Sequence, residues 1–151
     1  MFDKILVAID LLIKPAQRVL ERAASLKSAP LEMFVTHVVE SQYVQYSIDP
    51  TFTGSLTRAM EENALAAART RVAEICKPYG IPDDHQLITL GRAADRIHAL
   101  AREREVDTIV VGSHVRPGIK RLLGSTANAV LHGSPVNVVI IRNPDGESTW
   151  P

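Results

Sequence analysis

Five short apolar runs recur along the chain, and longer segments with helical spacing separate them. An unbroken apolar run of about four to eight residues is typical of a strand that is covered on both faces. Between the runs, apolar residues recur every three to four positions over residues 16–27 and 56–79, as in helices with one buried face. The five predicted strands cover residues 5–9, 33–39, 85–90, 106–111 and 136–141.

This alternation predicts the fold class α/β: a doubly wound, Rossmann-like parallel sheet of five strands with helices on both faces. Parallel pairing requires crossover connections, which are right-handed in almost all known sheets. We expect one domain over residues 1–142 and a flexible polar tail over residues 143–151. In such sheets ligands bind beyond the carboxyl ends of the strands, where the strand order reverses. Asp10, Val38 and the residues from Gly112 onward are therefore the first to inspect.

A long polar stretch, residues 40–54, separates the second predicted strand from the longest predicted helix. It shows no sustained period and contains Ser, Tyr, Thr and an Asp-Pro pair. A connection of this length inside a compact domain is uncommon and often functional or mobile, so we interpret it as a loop. Ser55 is then the predicted N-cap of the helix, and Gly80 with Pro82 is predicted to end it.

The balance of charge argues against nucleic acid or an anionic membrane as a partner. The 151 residues contain 17 basic and 17 acidic side chains, so no net field attracts a polyanion. Asp3 and Asp10 interrupt the amino-terminal apolar run, which does not fit a signal peptide, and no apolar run is long enough to span a bilayer. The single cysteine, Cys76, has no partner for an internal disulfide. We therefore expect a cytoplasmic protein.

The histidines show no spacing that indicates a metal site. His37, His85, His98 and His132 share no ligand pattern with one another or with Cys76. We interpret them as structural or surface residues. Cys76 lies in a predicted helix without a nearby activating motif, so we expect an inert, packed thiol.

The stretch from Gly112 to Thr126 joins the fourth predicted strand to a predicted helix, and its composition suits an anion. Glycines near both ends let the backbone approach a ligand closely. Ser125 and Thr126 add hydroxyl groups at the helix start, where free N–H groups and the helix dipole favour negative charge. Three cations lie between, namely Arg116, Lys120 and Arg121. The stretch predicts a phosphate-binding loop, although glycine and serine also serve as ordinary turn and cap residues. It is neither a Walker A loop nor a dinucleotide fingerprint.

Several segments together resemble the universal stress protein family, in the right order and spacing from residue 3 to Arg142. They are residues 4–10, His37-Val38 at the end of the second strand, residues 106–114, residues 122–126 and residues 134–136. The resemblance implies an adenine nucleotide alpha hydrolase-like fold and a homodimer. It also implies a regulatory module of the stress response whose conformation or partners depend on bound ATP, ADP or AMP.

The phosphate loop departs from the nucleotide-binding pattern of that family. The pattern has Gly, two residues, Gly, nine residues, and then Gly-Ser or Gly-Thr. This chain keeps Gly112 and Gly124-Ser125, but Val115 stands in place of the second glycine and eight residues follow it instead of nine. Two functions therefore remain open: nucleotide binding through a shortened loop, or a universal stress protein that binds no nucleotide and acts through protein–protein contacts.

The resemblance implies a binding site for ATP or AMP, with or without Mg²⁺. Asp10 would lie beside the ribose, although it also suits a turn. His114 would reach a phosphate, although an exposed loop histidine is the alternative. We expect slow ATP hydrolysis at most, because no clear general base or pair of metal-binding carboxylates is present. The expected site residues are Ala8, Ile9, Asp10, Val38 (through its backbone), Val111, Gly112, His114, Arg116, Gly124, Ser125 and Thr126.

The last predicted strand, Val136 to Ile141, is apolar and lies at an expected edge of the sheet. Pairing with the same strand of a second copy would cover it. We therefore expect a homodimer through this strand, and the protein partners stay unidentified.

Overall fold

The computed structural model describes residues 2–13, 16–26, 32–40, 50–115 and 123–144, without the side chains of residues 50–57, 114–115 and 143–144. Five strands form one parallel sheet, and they are β1 (Lys4–Ala8), β2 (Glu32–Val39), β3 (Gln86–Leu90), β4 (Thr108–Val115) and β5 (Asn137–Pro144). Their order is β3-β2-β1-β4-β5. The order reverses between β1 and β4, which is the switch point of a doubly wound sheet.

In the described part of the chain, four α-helices cover the sheet: α1 (Arg18–Ala24), α2 (Pro50–Cys76), α3 (Ala93–Glu103) and α4 (Ser125–Leu131), with short 3-10 helices at Lys77–Tyr79 and Asp83–His85. One core contains buried residues of α1 and α2, and the other contains buried residues of α3 and α4. The predicted fold class is therefore confirmed.

The strand β1 shows why the central strands correspond to unbroken apolar runs in the sequence. Its side chains alternate between the faces, and both faces are covered. Ile5 and Val7 join the core beneath α1 and α2, whereas Leu6 and Ala8 join the core beneath α3 and α4. Three of the four are completely buried, and Ala8 is 7% exposed. These four positions are all apolar because none of them faces water.

The helix α2 begins earlier than predicted. It starts at Pro50, so the last residues of the polar stretch 40–54 are helical and Ser55 lies inside the helix. The N-cap expected at Ser55 is therefore wrong. Proline is favoured at a first helical position because its missing N–H would have no partner there. The apolar period missed this start because it records core contact, and the buried residues of α2 among those with described side chains begin only at Ala68. Residues 41–49 lie outside the described part.

The predicted end of this helical region is confirmed. The 3-10 helix Lys77–Tyr79 continues α2, and Gly80 closes it with φ 64°. This left-handed backbone conformation favours glycine. Gly80 N–H donates to the carbonyl of Lys77 at 3.2 Å.

The strands β4 and β5 are longer than the apolar runs that predicted them. They pair with each other from Thr108↔Asn137 to Val115↔Pro144. Gly112 therefore lies inside β4 rather than at the first position of a loop. Asn143 and Pro144, which were expected to belong to the flexible tail, belong to β5, and residues 145–151 lie outside the described part. Backbone pairing between two strands needs no apolar side chains, so the period did not reveal these ends.

A single carboxylate joins β1 to β4 at the amino edge of the sheet. Oδ2 of Asp107 accepts the N–H groups of Asp3 at 2.9 Å and Lys4 at 2.8 Å, and Oδ1 accepts the Thr108 hydroxyl at 2.7 Å. Partial burial raises the pKa of Asp107. These hydrogen bonds, together with the charge of the amino terminus, outweigh burial, so the pKa lies below its ordinary value of 3.8.

Candidate functional site

A cleft of about 810 Å³ opens at the carboxyl edge of the sheet, around the switch point between β1 and β4. Its walls come from the ends of β1, β2 and β4 and from all four helices. Every expected site residue except His114 and Arg116 lines this cleft. The expected residues that line the cleft are Ala8, Ile9, Asp10, Val38, Val111, Gly112, Gly124, Ser125 and Thr126.

The positions of two expected site residues relative to the cleft are not described. His114 belongs to β4 by its backbone, and its side chain is not described. Arg116 lies outside the described residues. Their predicted contacts with phosphate therefore stay predictions.

Asp10 forms the turn that carries the chain away from the sheet. Its Oδ1 accepts the N–H of Leu12 at 2.9 Å, and its carbonyl accepts the N–H of Ile13 at 3.2 Å. This is an Asx turn, in which the carboxylate mimics a backbone carbonyl. The turn-forming role is thus present, and the exposed carboxylate also lines the cleft.

Gly112 has a packing reason to be glycine. A Cβ built on its backbone would lie 2.8 Å from Cγ2 of Val19, which is buried in α1. Real Cβ atoms do not approach a neighbour this closely, so a side chain here would force a shift of Val19 or of the Gly112 backbone. The glycine lets α1 lie tightly against β4 beside the cleft.

Gly124 is held in place by a buried serine. Its N–H donates to Oγ of Ser113 at 2.9 Å, and Ser113 is only 1% exposed. The carbonyl of Gly124 accepts the first hydrogen bond of α4, from the N–H of Asn128 at 2.9 Å. Ser125 and Thr126 follow as exposed residues of the first turn. The first N–H groups of a helix have no partner inside it, so this turn presents donors at the cleft.

Four polar lining residues were missed as site residues from the sequence: Thr36, His37, Glu40 and Arg71. Nδ1 of His37 lies 3.1 Å from the Ile9 carbonyl oxygen, so this histidine was correctly interpreted as structural but its place at the cleft was not foreseen. Oε1 of Glu40 accepts the N–H of Ala93 at 3.1 Å and caps α3.

Arg71 lines the cleft from α2, together with Ala64 and Ala67. These residues follow one another at steps of three and four, so they share a helix face. That spacing is the one signal in the sequence that places Arg71 near the site. The arginine is exposed, and it brings a positive charge to a wall that α2 otherwise builds from alanine.

The fold and this cleft define a doubly wound α/β protein with a ligand-sized opening at its switch point. The family model described as the universal stress protein family matches residues 1–142. The chain belongs to the universal stress protein family.

Individual proteins of known sequence or structure are similar over almost the whole chain. Universal stress protein A homolog 2 of Coxiella burnetii is 35% identical over 142 residues, which cover 93% of this chain and 95% of that protein. The fold is similar to hypothetical protein MJ0577, with a TM-score of 0.76, 22% identity and coverage of 97% and 99%. A universal stress protein in complex with cAMP gives a TM-score of 0.56, 20% identity and coverage of 93% and 97%. At these identities the structural likeness concerns the fold.

Within the described ranges, no helix is both long and apolar enough to cross a membrane.

Proposed function

We propose that this universal stress protein binds an adenine nucleotide, ATP, ADP or AMP, in the cleft at the switch point. The observation that carries the proposal is the gathering of Asp10, Val38 and the Gly124–Thr126 segment around one opening of about 810 Å³. Ligand pockets typically enclose roughly 300–1,000 Å³, so a mononucleotide fits this size. The protein would act as a regulatory module whose conformation or partners change with the bound nucleotide.

Each part of the nucleotide has a suitable place in this arrangement. The phosphates would lie at Ser125 and Thr126, where hydroxyl groups and amides of the first turn of α4 face the cleft, with or without Mg²⁺. The ribose would lie beside the carboxylate of Asp10, and the base would contact the backbone of Val38. A relative of the same fold forms a complex with cAMP, which also contains adenine, ribose and phosphate.

A second copy of the chain is the partner that we propose for β5. This strand forms an edge of the sheet, and its apolar side chains are only partly buried, namely Val138, Val139, Ile140 and Ile141. An unpaired apolar edge invites pairing with another strand. Dimerisation through this edge would cover it.

A nucleotide-free module acting through protein contacts is the second candidate, and two contacts favour it. Gly112 is accounted for by its packing against Val19, and the N–H of Gly124 is already bonded to Ser113. The glycine pattern therefore has an explanation that needs no phosphate. Val115 in place of the family's second glycine points the same way.

Extraction and titration separate the two candidates. The untagged protein is denatured, the supernatant is run on anion exchange against nucleotide standards, and the stripped, refolded protein is titrated calorimetrically with ATP and AMP. A bound adenine nucleotide, or micromolar affinity, supports the first candidate. If neither a bound nucleotide nor measurable affinity is found, the first candidate is wrong and the second is favoured.

The variant Gly124→Val tests the location of the phosphates. Gly124 has φ −67° and ψ 164°, which valine also adopts, so the fold is expected to survive. The added side chain would obstruct the start of α4, and calorimetry should detect no binding. Ala129→Val adds similar volume on an exposed face of α4 and should bind like the wild type. Unchanged affinity in Gly124→Val would mean that the phosphates lie elsewhere.

A further inference from the structure

The cleft has two halves, one on each face of the sheet. On the face of α3 and α4, the lining residues Ala8, Val111 and Ala127 belong to the core beneath those helices. On the opposite face, the lining residues Ile9 and Val19 belong to the core beneath α1 and α2. The cleft therefore extends around the end of the sheet, from one helical layer to the other.

We call the half on the face of α1 and α2 the α1–α2 groove. The chain leading into α1 and the middle of α2 form its walls. The residues that define it are Leu11, Ile13 and Ala16 on one side and Ala64, Ala67 and Arg71 on the other. The nucleotide proposed above needs none of these six residues, so the groove is a part of the cleft that has no assigned ligand.

The walls of the α1–α2 groove are apolar and only partly covered. Leu12, which also lines the cleft beside it, is 87% exposed, and Ala67 is exposed as well. Leu11, Ile13 and Ala64 are partly buried. The small alanine side chains of α2 leave space in front of that wall. Exposed apolar surface along a concave opening is typical of a site that binds an apolar group.

Arg71 brings to this apolar groove a positive charge that no described residue balances. It forms no hydrogen bond or ion pair within the described part of the chain. The two carboxylates that line the cleft have other partners, since Asp10 accepts the N–H of Leu12 and Glu40 accepts the N–H of Ala93. A guanidinium group offers two parallel N–H donors, which match the two oxygens of one carboxylate.

The spacing along α2 sets the length of ligand that the groove suits. Ala64 and Arg71 lie seven residues apart on the same helix, which corresponds to about 10 Å at 1.5 Å per residue. A ligand that reaches from the guanidinium group to the far end of the alanine wall therefore needs an apolar part of about this length.

We propose that the α1–α2 groove binds the anion of a medium-chain fatty acid, with its carboxylate at Arg71 and its acyl chain along the alanine wall of α2. One cation matches one carboxylate, and the apolar walls match the chain. This ligand is additional to the nucleotide. Its site does not depend on whether a nucleotide binds in the other half of the cleft.

Calorimetric titration with decanoate, octanoate and decanol tests the chemistry of this ligand. Decanoate should bind, and octanoate should bind about tenfold more weakly, because it buries two fewer methylene groups. Decanol should also bind at least about tenfold more weakly, because it forms no ion pair with Arg71. If decanoate does not bind, or if decanol binds equally well, the proposal is wrong.

Two variants of α2 test the place of the ligand. Arg71→Gln should lose about tenfold in decanoate affinity and most of the preference over decanol, whereas Arg69→Gln removes an exposed arginine that does not line the cleft and should bind like the wild type. Ala67→Leu fills the groove with a good helix former and should lose at least about tenfold in affinity for both ligands. Ala66→Leu, at an exposed position outside the cleft, is its control. Wild-type affinity in Arg71→Gln or Ala67→Leu would overturn the proposal.

Titration of decanoate in the presence of saturating AMP separates this proposal from the proposed function. If AMP binds, it should change decanoate affinity less than about threefold, because the two ligands occupy different halves of the cleft. Full competition would show that decanoate occupies the nucleotide half, and the fatty acid proposal would then be wrong while the proposed function stands. If no nucleotide binds but decanoate binds as expected, the proposed function is wrong and the fatty acid site stands.

Discussion

At the amino edge of the sheet the protein satisfies its own strand ends, whereas at the carboxyl edge the strand ends face a cleft. The Asp107 carboxylate accepts the N–H groups of Asp3 and Lys4, and the Asp107 N–H donates to the Lys4 carbonyl at 2.9 Å. At the opposite edge β1 stops at Ala8, while β2 and β4 continue beyond it. The comparison shows how one sheet separates two tasks: one edge holds the strands in register, and the other leaves backbone groups available.

The largest effect on stability is expected from adding a side chain at Gly112, where α1 packs against β4. Gly112→Ala places a Cβ 2.8 Å from Cγ2 of Val19, and overpacking of this kind costs about 1–3 kcal/mol. Urea unfolding should show that loss. The double variant with Val19→Ala should recover part of it, because the cavity left by valine accepts the new methyl group. Simple additivity of the two changes would mean that the close contact is relieved in some other way.

The next prediction concerns the amino edge. Asp107→Asn keeps the shape of the side chain but removes its charge and one of its two acceptor oxygens, and it should cost about 2 kcal/mol at neutral pH. Thermal or urea unfolding measures this cost. Asp83→Asn, at an exposed position, is the control and should change stability little. Nucleotide affinity should not change in either variant, because Asp107 lies at the edge away from the cleft.

The same carboxylate gives stability a defined pH dependence. The pKa of Asp107 is lower in the folded chain than its ordinary value of 3.8, so its contribution is complete above that value. The contribution is lost as the pH falls from 3.8 through the folded pKa, because the unfolded chain binds the proton first. Unfolding free energy measured across this acid range should fall less steeply in Asp107→Asn than in the wild type. Equal slopes would show that other carboxylates dominate.

A smaller effect is expected at the carboxyl edge from Ser113→Ala, which removes the acceptor of the Gly124 amide. The loss should be about 1 kcal/mol of unfolding free energy, together with a severalfold loss of nucleotide affinity through displacement of the start of α4. Ser134→Ala removes another serine hydroxyl that bonds to backbone, away from the cleft. That control should lose stability but keep its affinity. Loss of affinity in both variants would point to a general loosening of the protein.

The smallest effect should be seen at Cys76, which belongs to the core rather than to either edge. It is completely buried, and burial raises its pKa to about 11. Because the thiolate is the reactive form, a thiol reagent at neutral pH should label the unfolded chain readily and the folded chain hardly at all. Rapid labelling of the folded protein would show that α2 opens locally.

The sequence was most informative where burial on both faces imposes a pattern. The apolar run at residues 5–9 predicted β1 because every one of its side chains enters one of two cores. The early start of α2 and the extended ends of β4 and β5 were not predicted, because the sequence shows no apolar period in those segments. Likewise, the expected site residues line one cleft, but the fixed positions of Glu40 and Gly124 depend on partners 53 and 11 residues away in the sequence.

The bond between Ser113 and Gly124 also bears on how this protein tolerates insertions and deletions. It joins two points of the chain eleven positions apart, and so it ties the start of α4 to β4. The entropy of closing such a segment varies slowly with its length, and one residue more or less changes it by only about 0.1 kcal/mol. We therefore expect that inserting or deleting one residue between Ser113 and Gly124 changes the unfolding free energy little, and urea unfolding of such variants would measure this.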